Sequence, residues 1–311
     1  SGGQPTLDVL KNNYCKDFTG WDESVRDTVR FYQWKRDFDS LLAANAVPRF
    51  NTVRFINDHT QGLSLGRPTP FAHVADNDLA LGMFVDYLSH SPIWNETVII
   101  SVEDDAQNGP DHVDAHRSVA LIAGGFVKQG FVDHTPYTTT SLLRTMELIL
   151  GLPPMTQYDA AANSLWRCFD PVADHPPYKF RPANIDLNEK NTGRNQWQEL
   201  SETFDFSIED RVNDFDFNEV IWRAVKGLDS QCPPSVRAAF LATGDEEEED
   251  EFQQNEMDHV RFLRFFPTIF HEFFKFNFQE EMEHEEEAEG ADAGAVDVSE
   301  ASQVRKIAKI Q

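Results

Sequence analysis

The chain has 311 residues, of which 53 are acidic and 27 are basic, so its formal net charge is −26. A phosphate backbone repels such a charge, which argues against nucleic acid as the main partner. The hydrophobic fraction of 40% is enough for a sizeable core. No apolar run approaches the roughly 18 residues of a membrane-spanning helix, so we expect no transmembrane segment.

The first region, residues 1–155, predicts an alternation of helices and strands. Helices are expected over residues 22–44, 76–89 and 141–150, where apolar side chains recur at helical spacing. Ser141 is a candidate N-cap for the third helix, and Gly151 follows its last turn. Asp76 and Asp78 are interpreted as acidic residues in the first turn of the second helix, stabilised by its dipole.

Three apolar, β-branched runs in the same region predict strands, at residues 52–56, 97–102 and 118–123. Runs without polar alternation are typical of strands buried on both faces of a sheet. Because the strands alternate with helices, we expect an α/β fold with a mostly parallel sheet and helices on both faces.

The remaining residues divide into two regions. Residues 156–244 are rich in proline and predict a loop-rich part of the same domain that wraps the core, with one helix near residues 218–225. Residues 245–311 form an acidic tail with 20 acidic and 6 basic side chains, and residues 259–278 within it contain eight Phe. The Phe-rich stretch either packs on the core or its missing half, or contacts a partner or a membrane interface.

Candidate ligands for a metal ion follow the predicted strands. Asp58 and His59 come directly after the first strand, and Asp104 and Asp105 follow the second. A third cluster, residues 111–116, leads into the third strand. Ligands bind beyond the carboxyl ends of strands in open α/β sheets, so these side chains can converge. Two adjacent aspartates also repel each other unless a cation neutralises them.

The types of side chain leave several metals open. Carboxylates with imidazoles suit zinc, manganese or iron, and carboxylates alone suit magnesium or calcium. The alternative is that each cluster is a turn or a helix cap with satisfied hydrogen bonds. His73, His90 and His134 do not lie in carboxylate-rich stretches and are interpreted as structural. No serine is placed as a hydrolytic nucleophile, so the residues alone predict an α/β domain with a metal site.

Three motifs carry a resemblance to a known family: Asn57-Asp58-His59-Thr60, residues 74–82 and residues 102–117. They resemble the phosphoesterase family of the alkaline phosphatase superfamily. The matching part is the C-terminal portion of the catalytic domain, as in bacterial exported proteins in which a β-propeller precedes it. The resemblance covers roughly residues 5–240 and implies an alkaline-phosphatase-like sheet. It also implies an extracellular, periplasmic or otherwise secretory location.

The resemblance implies a divalent metal site and assigns roles to residues. One metal would be held by His59, with Asp58 and His116, and the other by Asp104 and Asp105. His112 would orient a ligand or act as a general acid. The activity implied is metal-dependent hydrolysis of a phosphoric ester in a phosphorylated small molecule or lipid.

One departure from the family concerns the nucleophile. In the family a Ser or Thr nucleophile comes from an N-terminal portion of the domain, and no residue before Thr52 resembles that portion. We therefore expect a domain incomplete at its N-terminus, which is active with the N-terminal half of the same domain or precursor as partner. The chain is then a processed product or a fragment. The alternative is a catalytically inactive structural or interaction protein with a degenerate phosphoesterase fold and an acidic tail.

Overall fold

The computed structural model describes residue 5 and residues 7–103, 118–173, 175–209 and 211–232. The helices and strands of this part of the chain are α1 (Asp27–Ala43), α2 (Pro70–Ser89), β1 (Val98–Val102), β2 (Ala120–Gly124), α3 (Thr139–Leu150), α4 (Gln157–Ala160), α5 (Gln196–Ser201) and α6 (Asp214–Lys226). Short 3-10 turns lie at Asp8–Leu10, Asn57–His59, Trp94–Glu96 and Trp166–Cys168.

The strands β1 and β2 form a two-stranded antiparallel sheet, in which Ile100 is opposite Ile122. Their positions agree with the second and third predicted strands to within two residues. Their antiparallel pairing differs from the parallel pairing that the alternation of strands and helices favours. A wider, mostly parallel sheet stays a prediction.

The strand predicted over residues 52–56 is wrong, since these residues are assigned to no strand. Ile56 is buried, and Val53 and Phe55 pack against the aromatic core between α1 and α2. The backbone N–H groups of Ile56 and Asn57 donate to the carboxylate of Asp27. The segment thus buries its apolar side chains and satisfies these two amides without a strand ladder.

The α1–α2 core is built from aromatic side chains on one face of α1. Phe31, Trp34 and Phe38 follow helical spacing and are all buried, with Leu88 of α2 packed against them. Trp34 also lies 4.3 Å from Phe84, centroid to centroid. Burial of each such side chain contributes about 1.5–3 kcal/mol, so this pairing of helices holds the region together.

A second core lies between the sheet and α3, around Val127, Leu142 and Phe169. Helix α3 begins at Thr139, and its N-cap is Thr138, with Ser141 as the reciprocal partner three residues later. The prediction that Ser141 caps the helix is therefore corrected. Gly151 ends the helix in the left-handed conformation at φ 69°, as its sequence position predicts.

The loop-rich residues after α3 pack on the first part of the chain. The amide of Asn191 donates to the carbonyls of Gly62 and Ser64, and the indole of Trp21 donates to the carbonyl of Phe206. The predicted helix in this region is α6, which is longer than the pattern indicates, and α4 and α5 are additional. None of the described helices has the length and apolar character needed to cross a membrane.

Candidate functional site

The predicted ligands Asp58 and His59 lie on a single 3-10 turn, Asn57–His59, that is fixed by buried hydrogen bonds. Asn57 is buried, and Thr60, directly after the turn, has a positive φ of 61°. A non-glycine residue in this region is costly and persists where the surroundings determine it. The side chain of Asn77 donates to Asp58 Oδ1 at 2.9 Å and to Asp27 Oδ2 at 3.1 Å, which ties the turn to α1 and α2.

Asp76 is a buried hydrogen-bond acceptor beneath this turn. It accepts from the backbone N–H of Asp27 at 2.7 Å, from the Thr28 hydroxyl at 2.8 Å and from the Asn57 amide at 2.9 Å. The interpretation of Asp76 and Asp78 as first-turn charges is wrong, because α2 begins at Pro70 and both lie beyond its first turn. Asp76 therefore positions the turn Asn57–His59, which we call the ligand turn because it carries the predicted ligands Asp58 and His59.

Arg30 and Asp27 form an ion pair at 3.0 Å in which neither side chain is exposed. The guanidinium also donates to the carbonyls of Thr19, Gly20 and Asp22. Burial raises the pKa of Asp27 against the hydrogen bonds that it accepts, and burial lowers the pKa of Arg30. Each group thus loses hydration on folding, and the dense hydrogen bonding compensates for that loss.

His59 is held through one ring nitrogen. Its Nδ1 lies 2.8 Å from Glu23 Oε1 and 3.2 Å from the carbonyl oxygen of Thr60, whereas Nε2 has no hydrogen-bond partner among the described residues. Burial lowers the pKa of His59, but the hydrogen bond and charge of Glu23 outweigh it, and the net pKa is raised. Burial raises the pKa of Glu23, and the hydrogen bond with His59 offsets only part of this increase.

A large cavity opens beside the turn, with a volume of about 1830 Å³. We call it the β1 cavity, because strand β1 forms one wall and residues 51–56 form another. Asp58, His59 and Glu103 line it. The apolar lining includes Phe55, Ile99, Phe126, Met146 and Ile149.

The other predicted site residues lie outside the described part of the chain. They are Asp104, Asp105, His112 and His116. Glu103, which directly precedes Asp104, lines the same cavity as Asp58 and His59. Within the described residues, no group of three or more His, Cys, Asp or Glu side chains could hold a metal ion.

The two candidate ligands that lie within the described residues have side chains of the type that binds divalent ions. Asp58 offers carboxylate oxygen, and His59 offers Nε2 while Nδ1 is engaged by a carboxylate, which is the arrangement of metal-bound histidines. Both side chains are on one rigid turn at the edge of a cavity. They fit as two members of a ligand set whose other predicted members lie outside the described residues.

The buried polar residues around the turn were not anticipated as site residues. Arg30 and Asp27 fall on the same helical face as Phe31, Trp34 and Phe38, and charged residues on an apolar face indicate a buried pair. That signal was available in the sequence. Glu23 gave no such signal, because its partner His59 is 36 residues away.

No family model matches the chain. No curated protein and no solved structure matches it either.

Proposed function

We propose that this chain is a metal-dependent phosphoric-ester hydrolase of the phosphoesterase type. The observation that carries the proposal is that Asp58, His59 and Glu103 line one cavity, with the two ligand-type side chains on a rigid turn. The ligand set would be Asp58, His59, Asp104, Asp105 and His116, with His112 as an acid or an orienting group. A bound divalent ion would polarise a phosphoryl oxygen and stabilise the leaving oxygen.

The chain's own residues would hold and orient the reacting groups. Asn77 keeps Asp58 Oδ1 in place, and Glu23 engages His59 Nδ1 so that Nε2 is left for a ligand. Phe55, Ile99 and neighbouring apolar side chains form part of the cavity lining. Polar groups that are already fixed in position stabilise developing charge without having to reorganise during the reaction.

The edge of strand β1 is a candidate binding place for a partner that completes the site. Among the described residues β1 pairs only with β2, so its other edge has no strand partner within that part of the chain. An extended polypeptide segment can add to such an edge through main-chain hydrogen bonds. We propose that the N-terminal half of the domain binds here and supplies the Ser or Thr nucleophile, and that the substrate is a phosphorylated small molecule or lipid.

The decisive experiment uses the native assembly purified from its natural source. Hydrolysis of p-nitrophenyl phosphate and of bis-p-nitrophenyl phosphate is measured with and without a chelator, and the assembly is analysed by mass spectrometry. We expect hydrolysis that is lost with chelator and restored by a divalent metal, and a second polypeptide segment with a Ser or Thr nucleophile.

Variants separate the site from the rest of the surface. Asp58→Ala and Asp104→Ala should each lower kcat/KM at least about 100-fold, since a missing ligand weakens the metal and misplaces it. Asp205→Asn, a surface carboxylate paired with Arg211, is the matched control and should leave the rate unchanged. Full activity of Asp104→Ala would remove the ligand assignment. An assembly that stays intact but shows no metal-dependent hydrolysis would favour the inactive interaction protein.

A further inference from the structure

We infer that Glu23 is the positioning residue for His59, fixing its ring and tautomer so that Nε2 is presented to a metal ion. The inference rests on the proposed function. It concerns a residue outside the three motifs that carry the family resemblance. Glu23 itself does not touch the proposed metal, and it acts through His59.

The contact between the two side chains is short and shielded from water. Glu23 Oε1 lies 2.8 Å from His59 Nδ1, and the exposed fractions of the two side chains are 1% and 15%. A carboxylate at this distance accepts a hydrogen bond from a protonated Nδ1. In the neutral ring the free lone pair is then on Nε2. Carboxylate partners of this kind also raise the basicity of a ligating histidine.

Aromatic side chains restrict rotation of the same ring. Trp21 contacts His59 edge-to-face with centroids 4.9 Å apart, and Phe217, which is fully buried, lies at 5.4 Å. Phe206 is at 6.2 Å. The ring is therefore held on its faces by packing and at Nδ1 by Glu23, and Nε2 is the nitrogen that remains for a ligand.

The environment of Glu23 argues against a purely structural role. Its carboxylate is almost fully buried, and its partners among the described residues are His59 and the side chain of Gln61. A buried carboxylate costs free energy that an apolar side chain would avoid. The contact of Oε1 with His59 Nδ1 offsets part of that cost.

The test measures zinc binding to the full-length chain by isothermal titration calorimetry. His59→Ala defines the part of the binding that belongs to this site, as distinct from weak binding by the acidic tail. We expect Glu23→Ala to weaken that component about 10–100-fold, as loss of a carboxylate partner does in other metal sites. Glu23→Gln, whose amide oxygen can still accept from Nδ1–H, should recover part of the loss.

Asp205→Asn is the matched control. Asp205 pairs with Arg211 at the surface and does not line the β1 cavity, so its replacement should change the zinc affinity less than about twofold. Nitrogen-15 NMR of the imidazoles gives a readout independent of metal. At a pH at which His59 is neutral, we expect the Nδ1–H tautomer in the metal-free wild-type chain. In Glu23→Ala we expect a shift toward the Nε2–H tautomer.

The outcomes distinguish the two claims. Zinc affinity in Glu23→Ala equal to that of the wild type, or an Nε2–H tautomer in the wild type, would overturn the role of Glu23 and leave the hydrolase proposal standing. A wild-type chain whose zinc binding is unchanged by His59→Ala would overturn both. Weaker binding and a changed tautomer together, with Asp205→Asn unaffected, support the inference.

Discussion

Replacement of Arg30 by methionine is the most direct test of how the ligand turn is held. Methionine fills much of the same space but carries no charge and no donors. It would leave Asp27 as an uncompensated buried carboxylate beside the backbone of Ile56 and Asn57. It would also leave the carbonyls of Thr19, Gly20 and Asp22 without their guanidinium donor.

The expected decrease in the free energy of unfolding follows from the burial of the ion pair. Breaking a buried ion pair by removing one partner costs about 3–5 kcal/mol, because the other charge stays buried and unpaired. Arg36→Met is the matched control on the same helix. Arg36 pairs with Asp17 at 2.8 Å, but the exposed fractions of the two side chains are 65% and 71%, so we expect a loss of about 0–1 kcal/mol.

The assay is urea unfolding of the full-length chain, followed by far-ultraviolet circular dichroism and by tryptophan fluorescence. Equal slopes for the variants and the wild type would show that the midpoints report stability. Arg30→Lys keeps the charge but loses the planar fork of donors, and it should lie between the wild type and Arg30→Met. A loss for Arg30→Met within about 1 kcal/mol of that for Arg36→Met would refute the reasoning.

Three further predictions concern single side chains. Burial lowers the pKa of His73 to about 4, so its contribution to stability is present above pH 6.5 and is lost as the pH falls toward 4. The stability of the wild type relative to His73→Leu should therefore fall by about 3 kcal/mol over that window, and equal pH profiles of the two unfolding curves would contradict this. Leu142→Ala removes a buried side chain of the core under the sheet and should cost about 2–5 kcal/mol, measured as a lower urea midpoint. Gly151→Ala places a side chain at φ 69° and should cost about 1 kcal/mol by the same assay, and an unchanged midpoint would show that this helix end adapts.

The helices were largely predictable, because their signals are local. The helix predicted over residues 22–44 contains α1, and Gly151 marks the end of α3 where the structure has it. The predicted start of a helix is wrong where its N-cap lies outside the stretch with helical periodicity. Thr69 and Pro70 begin α2 six residues before the predicted start, and this moved Asp76 from the first turn into the middle of a buried network.

The strands were less predictable, since a strand depends on a partner. Residues 52–56 have the composition of a strand, yet they pack beside α1 and α2 and are assigned to no sheet. For β1 and β2 the apolar runs were correct, whereas the direction of pairing was not contained in them. The register and direction of a ladder are fixed by contacts between distant residues.

By itself the sequence determined the types of side chain at the candidate site, the distribution of charge and most of the helices. Only the tertiary structure decided that Asp58 and His59 lie with Glu103 around one cavity, and that Glu23 engages Nδ1 of His59. It also decided that Arg30 and Asp27 are fully buried. The physical reason is the same throughout: helix periodicity and caps act within a few residues, whereas burial and hydrogen-bond partners depend on which distant segments meet.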